Sequence, residues 1–96
     1  MDVKKTKKKI LIDMCYKVLC AYEGYENGKG SLESYQSCIR TAVVALSSQQ
    51  DTEAVLNSIV LLNGLFNMGA KTRHEDVRRV VLHVTNEIER KVEEVL

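Results

Sequence analysis

The amino-acid sequence predicts an all-α protein, an antiparallel up-and-down four-helix bundle in which helix four is the longest. Apolar residues recur at helical spacing in four successive segments that fill nearly all of the 96-residue chain. The breaks between these segments are short and polar, and the chain contains no proline. Because short connections make sequential helices neighbours, the pattern favours the up-and-down arrangement.

The first two helices are predicted on either side of a glycine-rich connection. Helix one runs from about Lys8 to Tyr22 and ends at Gly24, and residues 23–30 form the longest flexible stretch. Ser31 has the side chain expected of an N-cap for helix two. The inward face of helix two is predicted to contain Leu32, Tyr35, Ile39, Ala42, Val43 and Leu46.

Helix three, predicted from Thr52 to Met68 with Asp51 as its cap, is apolar over most of its circumference. A helix of this kind is usually covered on more than one side. Gly64 inside it costs on the order of 1 kcal/mol relative to alanine, so we expect a neighbouring backbone to pack close there. The surplus apolar surface predicts a contact with another protein, most simply with a second copy of the chain.

Helix four is predicted from Arg73 to Leu96, a length of roughly 36 Å at 1.5 Å per residue. Thr72 and Glu75 have the spacing of a capping box at its start. Because the other helices are shorter, the end of helix four overhangs them and its apolar residues need cover. The predicted partner or dimer interface therefore joins residues of helices three and four: Leu56, Val60, Leu61, Leu65, Met68, Val92 and Leu96.

The charge is unevenly distributed, although the formal net charge is only +1. Lysines at a helix N-terminus oppose the helix dipole, so we expect residues 1–9 to be a flexible basic arm and residues 10–96 to be the single helical domain. A second basic cluster lies at the start of helix four, next to Lys71. The candidate polyanion-binding residues are Lys4, Lys5, Lys7, Lys8, Lys9, Arg73, Arg78 and Arg79.

The chain lacks the motifs of common catalytic and metal sites. Its three cysteines are an odd number without framework spacing, which favours reduced core residues and a cytoplasmic location. The glycine-rich stretch fails the P-loop pattern, because the first glycine position is Glu23 and the serine or threonine position is Gly30. We expect no catalytic residues, no metal, no cofactor and no membrane span.

These observations favour a small non-enzymatic interaction protein, acting as a regulator, inhibitor or adaptor and forming a homodimer. The alternative is a nucleic-acid-binding accessory protein that uses the two basic clusters. Tyr22, Tyr25 and Tyr35 adjoin the glycine-rich stretch and fit either an interface or a cap on the bundle end. The four-helix layout with a basic start is similar to that of bacteriocin immunity proteins, small cytosolic bundles that bind partner proteins. This similarity of architecture and length, without a shared motif, implies a binding role.

Overall fold

The computed structural model describes residues 7–49 and 53–91, and within them it contains four α-helices and one short 3-10 turn. No strand occurs in these two ranges, so the prediction of an all-α protein is confirmed. The helices are α1 (Lys7–Glu26), α2 (Leu32–Ser47), α3 (Glu53–Met68) and α4 (His74–Lys91), and the 3-10 turn Gly69–Lys71 joins α3 to α4. The predicted cap of helix three, Asp51, lies outside the described residues.

The helices pack around one shared core in a closed ring. Both α1 and α3 pack against α2 and α4, whereas the diagonal pairs make no such contact among the described residues. The radius of gyration is 13.3 Å, as expected for a compact chain of this length. Aliphatic residues dominate the core, together with two tyrosines and Cys15: Leu11, Cys15, Val18, Tyr22, Tyr35, Ile39, Ala42, Leu46, Val55, Leu62, Leu65, Val77, Val80, Val81, Val84 and Ile88.

The first helix is longer at both ends than the sequence predicts. It begins at Lys7, so three of the lysines assigned to a flexible arm belong to α1. The ammonium of Lys8 donates a hydrogen bond of 2.8 Å to the Glu89 carbonyl oxygen in the last turn of α4. That carbonyl lies at the negative end of the α4 dipole, where a lysine is favourable, and this contact offsets the unfavourable dipole of α1.

The α1 helix also continues past Gly24 and ends near Gly28. Gly28 has a φ of 74°, a left-handed conformation that glycine adopts without a steric penalty. The amides of Lys29 and Gly30 donate to the Gly24 carbonyl oxygen at 2.8 and 3.0 Å, which satisfies one carbonyl of the last turn. With 20 residues, α1 exceeds the 18 described residues of α4, so the prediction that helix four is the longest is not confirmed.

The N-terminus of α2 is capped as the sequence predicts, but the capping box proposed for α4 is wrong. Ser31 accepts a hydrogen bond of 3.0 Å from the Ser34 amide. At the start of α4, the Thr72 hydroxyl instead donates to the Gly69 carbonyl oxygen at 2.8 Å. The residue that reaches back is Asp76, whose carboxylate accepts from the Arg73 amide at 3.3 Å.

No helix in the described part of the chain combines the length and the apolar character needed to cross a membrane.

Candidate functional site

The outward surface of α3 is the candidate functional site, because it exposes large apolar side chains on a helix that also contributes to the core. Val60 is 68 % exposed and Leu56 is 51 % exposed, whereas Leu62 on the opposite side is fully buried. We call this surface the α3 face. It consists of exposed residues of one helix: Glu53, Leu56, Asn57, Val60, Asn63, Gly64, Asn67 and Met68.

The α3 face has no charge between its two ends. Glu53 opens the helix, and the next charged residue in the sequence is Lys71, at the end of the 3-10 turn. The polar residues of the face are asparagines, which hydrogen-bond without ionising. Desolvating such a surface does not require burying an unpaired charge, so the electrostatic cost of covering the α3 face is low.

Gly64 lies on the α3 face, and its surroundings differ from the prediction. A Cβ atom built on Gly64 would meet nothing within 4 Å, and the residue is exposed. The expectation that a backbone within the same chain packs close to Gly64 is therefore wrong. The glycine leaves a shallow depression beside Val60 in an otherwise regular helix surface, and the helix bears the propensity cost without a contact inside the chain.

The residues predicted to form the interface divide into three groups. Leu56, Val60 and Met68 are exposed on the α3 face. Leu61 is half-buried against the core, and Leu65 is only 2 % exposed within it. The assignment of Leu65 to an outer interface is therefore wrong, because the helical spacing that exposes Val60 turns Leu65 towards the centre of the bundle. The other two predicted residues, Val92 and Leu96, lie outside the described residues.

The basic cluster at the start of α4 is largely neutralised by acidic neighbours. The guanidinium of Arg79 lies 3.1 Å from the Asp76 carboxylate, and that of Arg73 lies 3.5 Å from the Glu75 carboxylate. Among the described residues, Arg78 makes no ion pair. Glu75 and Asp76 lie between Arg73 and Arg78 in the sequence, and this spacing is the signal from which the ion pairs could have been predicted.

The structure places the described lysines of the N-terminal run far from the arginine cluster. Lys8 contacts Glu89, which follows Arg73 by 16 positions in the sequence, a distance of roughly 24 Å along the axis of α4. Lys7 and Lys9 share the first turn of α1 with Lys8, and Lys9 pairs with Asp13 at 3.8 Å. The remaining lysines of the run, Lys4 and Lys5, lie outside the described residues.

The tyrosines near the glycine-rich connection close one end of the bundle. The Tyr22 hydroxyl donates a buried hydrogen bond of 2.6 Å to the Thr72 carbonyl oxygen, and its ring packs edge-on against Tyr35 at 5.1 Å. Tyr25 is half-buried, with its ring 5.9 Å from that of Tyr22. Of the two roles considered, a structural cap is the one that the burial of Tyr22 and Tyr35 supports.

The hydroxyl of Tyr35 is fully buried and has no hydrogen-bond partner among the described residues. Burial raises the pKa of Tyr35 to about 12, and the nearby Thr72 hydroxyl opposes part of this rise. A tyrosine at a core position of the helical pattern does not reveal from sequence whether its hydroxyl has a partner.

The cysteines differ from the expectation that all three lie in the core. Cys15 is buried, Cys38 is half-buried and Cys20 is exposed, and all three are free thiols. Burial raises the pKa of Cys15 to about 12, which disfavours the thiolate needed for nucleophilic attack. No cluster of three or more potential metal ligands occurs in residues 7–49 and 53–91.

No family model, no curated protein and no solved structure matches the chain. The chemical capacity of the α3 face follows from its own groups. Aliphatic side chains, amides and a glycine offer van der Waals contact and neutral hydrogen bonds to another surface. The carboxylate of Glu53 adds one ionisable group at the start of the helix.

Proposed function

We propose that this chain is a small non-enzymatic protein–protein interaction module that works as a homodimer held together by the α3 face. The observation that carries the proposal is the exposure of Val60 and Leu56 on a helix without charge between Glu53 and Lys71. Burying apolar surface stabilises an assembly by about 25 cal/mol per Å². Such a helix face gains more from being covered than from contact with water.

A second copy of the chain is the partner that suits an uncharged face. In a two-fold symmetric dimer the same surface is used twice, so any charge near the axis is placed close to its own copy. The outer surfaces of the other helices are less suited to self-contact. The outer surface of α4 carries Arg78, Arg79, Glu89 and Arg90, and that of α1 carries Lys17 beside Ile10.

The proposal includes the up-and-down antiparallel topology of the bundle. The contact of Lys8 with Glu89 joins the start of α1 to the end of α4, and the 3.0 Å contact of Glu23 with His74 joins their other ends. Gln36, near the start of α2, donates to the carbonyl oxygen of Phe66, near the end of α3. These contacts support neighbouring helices that run in opposite directions.

The dimer leaves the outer surfaces of α1 and α4 available for a further protein, as a regulator, inhibitor or adaptor requires. We place this role in the cytoplasm, where three free thiols would remain reduced. The ion pairs of Arg73 and Arg79 lower the positive potential that the nucleic-acid alternative requires, so no observation favours that alternative.

The experiment compares two substitutions of equally exposed valines. Val60→Glu places a charge in the centre of the proposed contact, whereas Val44→Glu places it on α2, where the side chain is 64 % exposed. We expect Val60→Glu to weaken self-association more than tenfold, because two carboxylates would be desolvated in each dimer. Light scattering coupled to size-exclusion chromatography measures the mass, and circular dichroism verifies that both variants fold.

A dimer that survives Val60→Glu as well as it survives Val44→Glu would contradict the proposed surface. A wild-type chain that stays monomeric at all accessible concentrations would contradict the proposed homodimer.

A further inference from the structure

We infer that, in the proposed homodimer on which this inference rests, the two α3 helices pack in antiparallel orientation about a two-fold axis level with Leu62. In this register, residues equally far before and after position 62 face each other across the axis. Position 62 is itself buried in its own chain, so the axis passes over the outer side of the helix near Val60 and Gly64. Four pairs of exposed residues on the two sides of position 62 match in charge, size or hydrogen bonding, and Asn63 lies opposite the half-buried Leu61 at the edge of the contact.

Two charged residues flank the uncharged part of α3 and determine the direction of packing: Glu53 in its first turn and Lys71 in the 3-10 turn that follows the helix. Glu53 lies nine residues before position 62, and Lys71 lies nine residues after it. Both side chains are exposed, and they have opposite charge. Antiparallel packing places each Glu53 near the Lys71 of the second copy, whereas parallel packing about a two-fold axis would place each charge near its own copy.

The sizes of the apolar residues are complementary in the same register. Val60 and Gly64 lie two residues on either side of position 62, so the most exposed valine of α3 faces the depression left by the glycine. Leu56 and Met68 lie six residues on either side and face each other across the axis. Because each pair occurs twice, an open position at Gly64 receives a Val60 side chain at two places in the dimer.

Two asparagines of the α3 face also form a pair across the axis in this register. Asn57 and Asn67 lie five residues on either side of position 62, and both are exposed. A side-chain amide both donates and accepts, so two facing asparagines can hydrogen-bond to each other without a change of protonation. Such a pair at the edge of an apolar contact penalises other registers, because a shifted helix would leave the amides against aliphatic side chains.

The contact covers one helix face of about 24 Å, which is 16 residues at 1.5 Å each. An interface of this extent is at the small end of the range for specific complexes, so we expect a dissociation constant on the order of 10 μM. At this affinity, the charge pairs at the ends are a measurable part of the binding free energy. The register is therefore accessible to a charge-exchange experiment.

The test exchanges the two charges. Glu53→Lys and Lys71→Glu each replace two attractions in the dimer by two repulsions, and we expect either change to raise the dissociation constant about tenfold at low salt. The double variant Glu53→Lys/Lys71→Glu restores both pairs with the signs exchanged, so its dissociation constant should return to within about threefold of the wild type. Lys17→Glu on α1 is the control for the change in net charge that Lys71→Glu causes.

A second exchange tests the size complementarity independently of charge. Gly64→Val alone sets two valines against each other and should weaken association, whereas Val60→Gly/Gly64→Val moves the depression to the other position and should restore it. The double variant keeps the amino-acid composition of α3, so its helix propensity is little changed. Sedimentation equilibrium at low and high salt measures the dissociation constant of each variant.

Three outcomes separate the inference from the proposed function. Loss of association in the single charge variants with recovery in the double variant supports the antiparallel register. If both single charge variants behave like Lys17→Glu while Val60→Glu still dissociates the dimer, the α3 face holds the two copies but the register is overturned. If the wild type does not associate at all, the proposed homodimer fails and the register fails with it.

Discussion

At the scale of single residues, the two buried tyrosines at the bundle end differ in their hydroxyl groups. The Tyr22 hydroxyl donates to the Thr72 carbonyl oxygen at 2.6 Å, whereas the Tyr35 hydroxyl has no partner in the described part of the chain. Removing a donor from a buried carbonyl costs free energy, but removing an unpaired buried hydroxyl does not. The two tyrosines therefore form a matched pair for mutagenesis.

We expect Tyr22→Phe to lower the free energy of unfolding by about 1–2 kcal/mol and Tyr35→Phe to change it by less than about 0.5 kcal/mol. The Tyr35 variant is expected to be neutral or more stable than the wild type. Urea unfolding followed by circular dichroism gives both values. Equal losses in the two variants would show that the Tyr35 hydroxyl has a partner in solution.

Residue burial could be predicted from the helical spacing more reliably than residue surroundings. The pattern places Tyr35, Ile39, Ala42 and Leu46 on the inner face of α2, and all four are buried. It failed for Leu65, because α3 is so apolar that periodicity alone does not separate its inner side from its outer side. The surroundings of Gly64 were also mispredicted, since they depend on which helices lie nearby in space.

At the scale of helices, the start of α4 depends on Asp76. Its carboxylate accepts from the Arg73 amide and pairs with Arg79 at 3.1 Å, and its side chain is 14 % exposed. Glu75 has a side chain that is 69 % exposed and pairs with Arg73 at 3.5 Å. An acidic side chain that satisfies an amide near the helix N-terminus stabilises the helix more than an exposed ion pair does.

We expect Asp76→Ala to lower the free energy of unfolding by about 1 kcal/mol, and Glu75→Ala by less than about 0.5 kcal/mol. Thermal unfolding of both variants is followed by circular dichroism at roughly 222 nm, near the helix minimum, in the same buffer. A larger loss of stability for Glu75→Ala than for Asp76→Ala would support the capping box of Thr72 and Glu75 that the sequence predicts.

The existence and order of the helices were predictable, but several of their ends were not. The Ser31 cap was identified because a serine directly precedes an amphipathic segment. The two ends of α1 were mispredicted, because each depends on residues outside the apolar pattern of the predicted helix. Its start is stabilised by a carbonyl group of α4, and its end is set by the φ of Gly28, four residues beyond the expected glycine.

At the scale of the whole molecule, a buried thiol and two buried tyrosine hydroxyls make the free energy of unfolding depend on pH in the alkaline range. Burial raises the pKa of the Cys15 thiol from 9.0 to about 12, so between these values the unfolded chain loses a proton that the folded chain keeps. The unfolded state then binds fewer protons, and the free energy of unfolding falls as pH rises. Tyr22 and Tyr35, whose pKa values are also raised by burial, act in the same direction above about pH 10.

We expect the free energy of unfolding to be nearly constant from about pH 7 to 8 and to decline above pH 9, approaching a slope of about 1.4 kcal/mol per pH unit for the thiol. The Cys15→Ala variant should be less stable at neutral pH but should show a smaller decline between about pH 8 and 10. Urea titrations at fixed pH values measure this difference. Parallel declines in the two proteins would assign the alkaline loss to groups other than Cys15.

The placement of sites relative to one another is the property that the sequence conveyed least. The sequence does not reveal how far apart the two basic clusters lie: roughly 24 Å of α4 separates Arg73 from Glu89, which Lys8 contacts. The uncharged interval of α3 was visible in the sequence, and its exposure was not, because exposure depends on the number of helices that cover α3. Among residues 7–49 and 53–91, α2 and α4 pack against α3, and its third side is exposed.

Whether the α3 face joins two copies is measured by sedimentation equilibrium of the wild type, Val60→Glu and Val44→Glu over about 1–500 μM. This range brackets the dissociation constant expected for a small interface. We expect the wild-type mass to rise from 10.9 kDa towards twice that value with concentration, whereas Val60→Glu stays at 10.9 kDa and Val44→Glu follows the wild type. A wild-type mass that remains at 10.9 kDa over the whole range would contradict it.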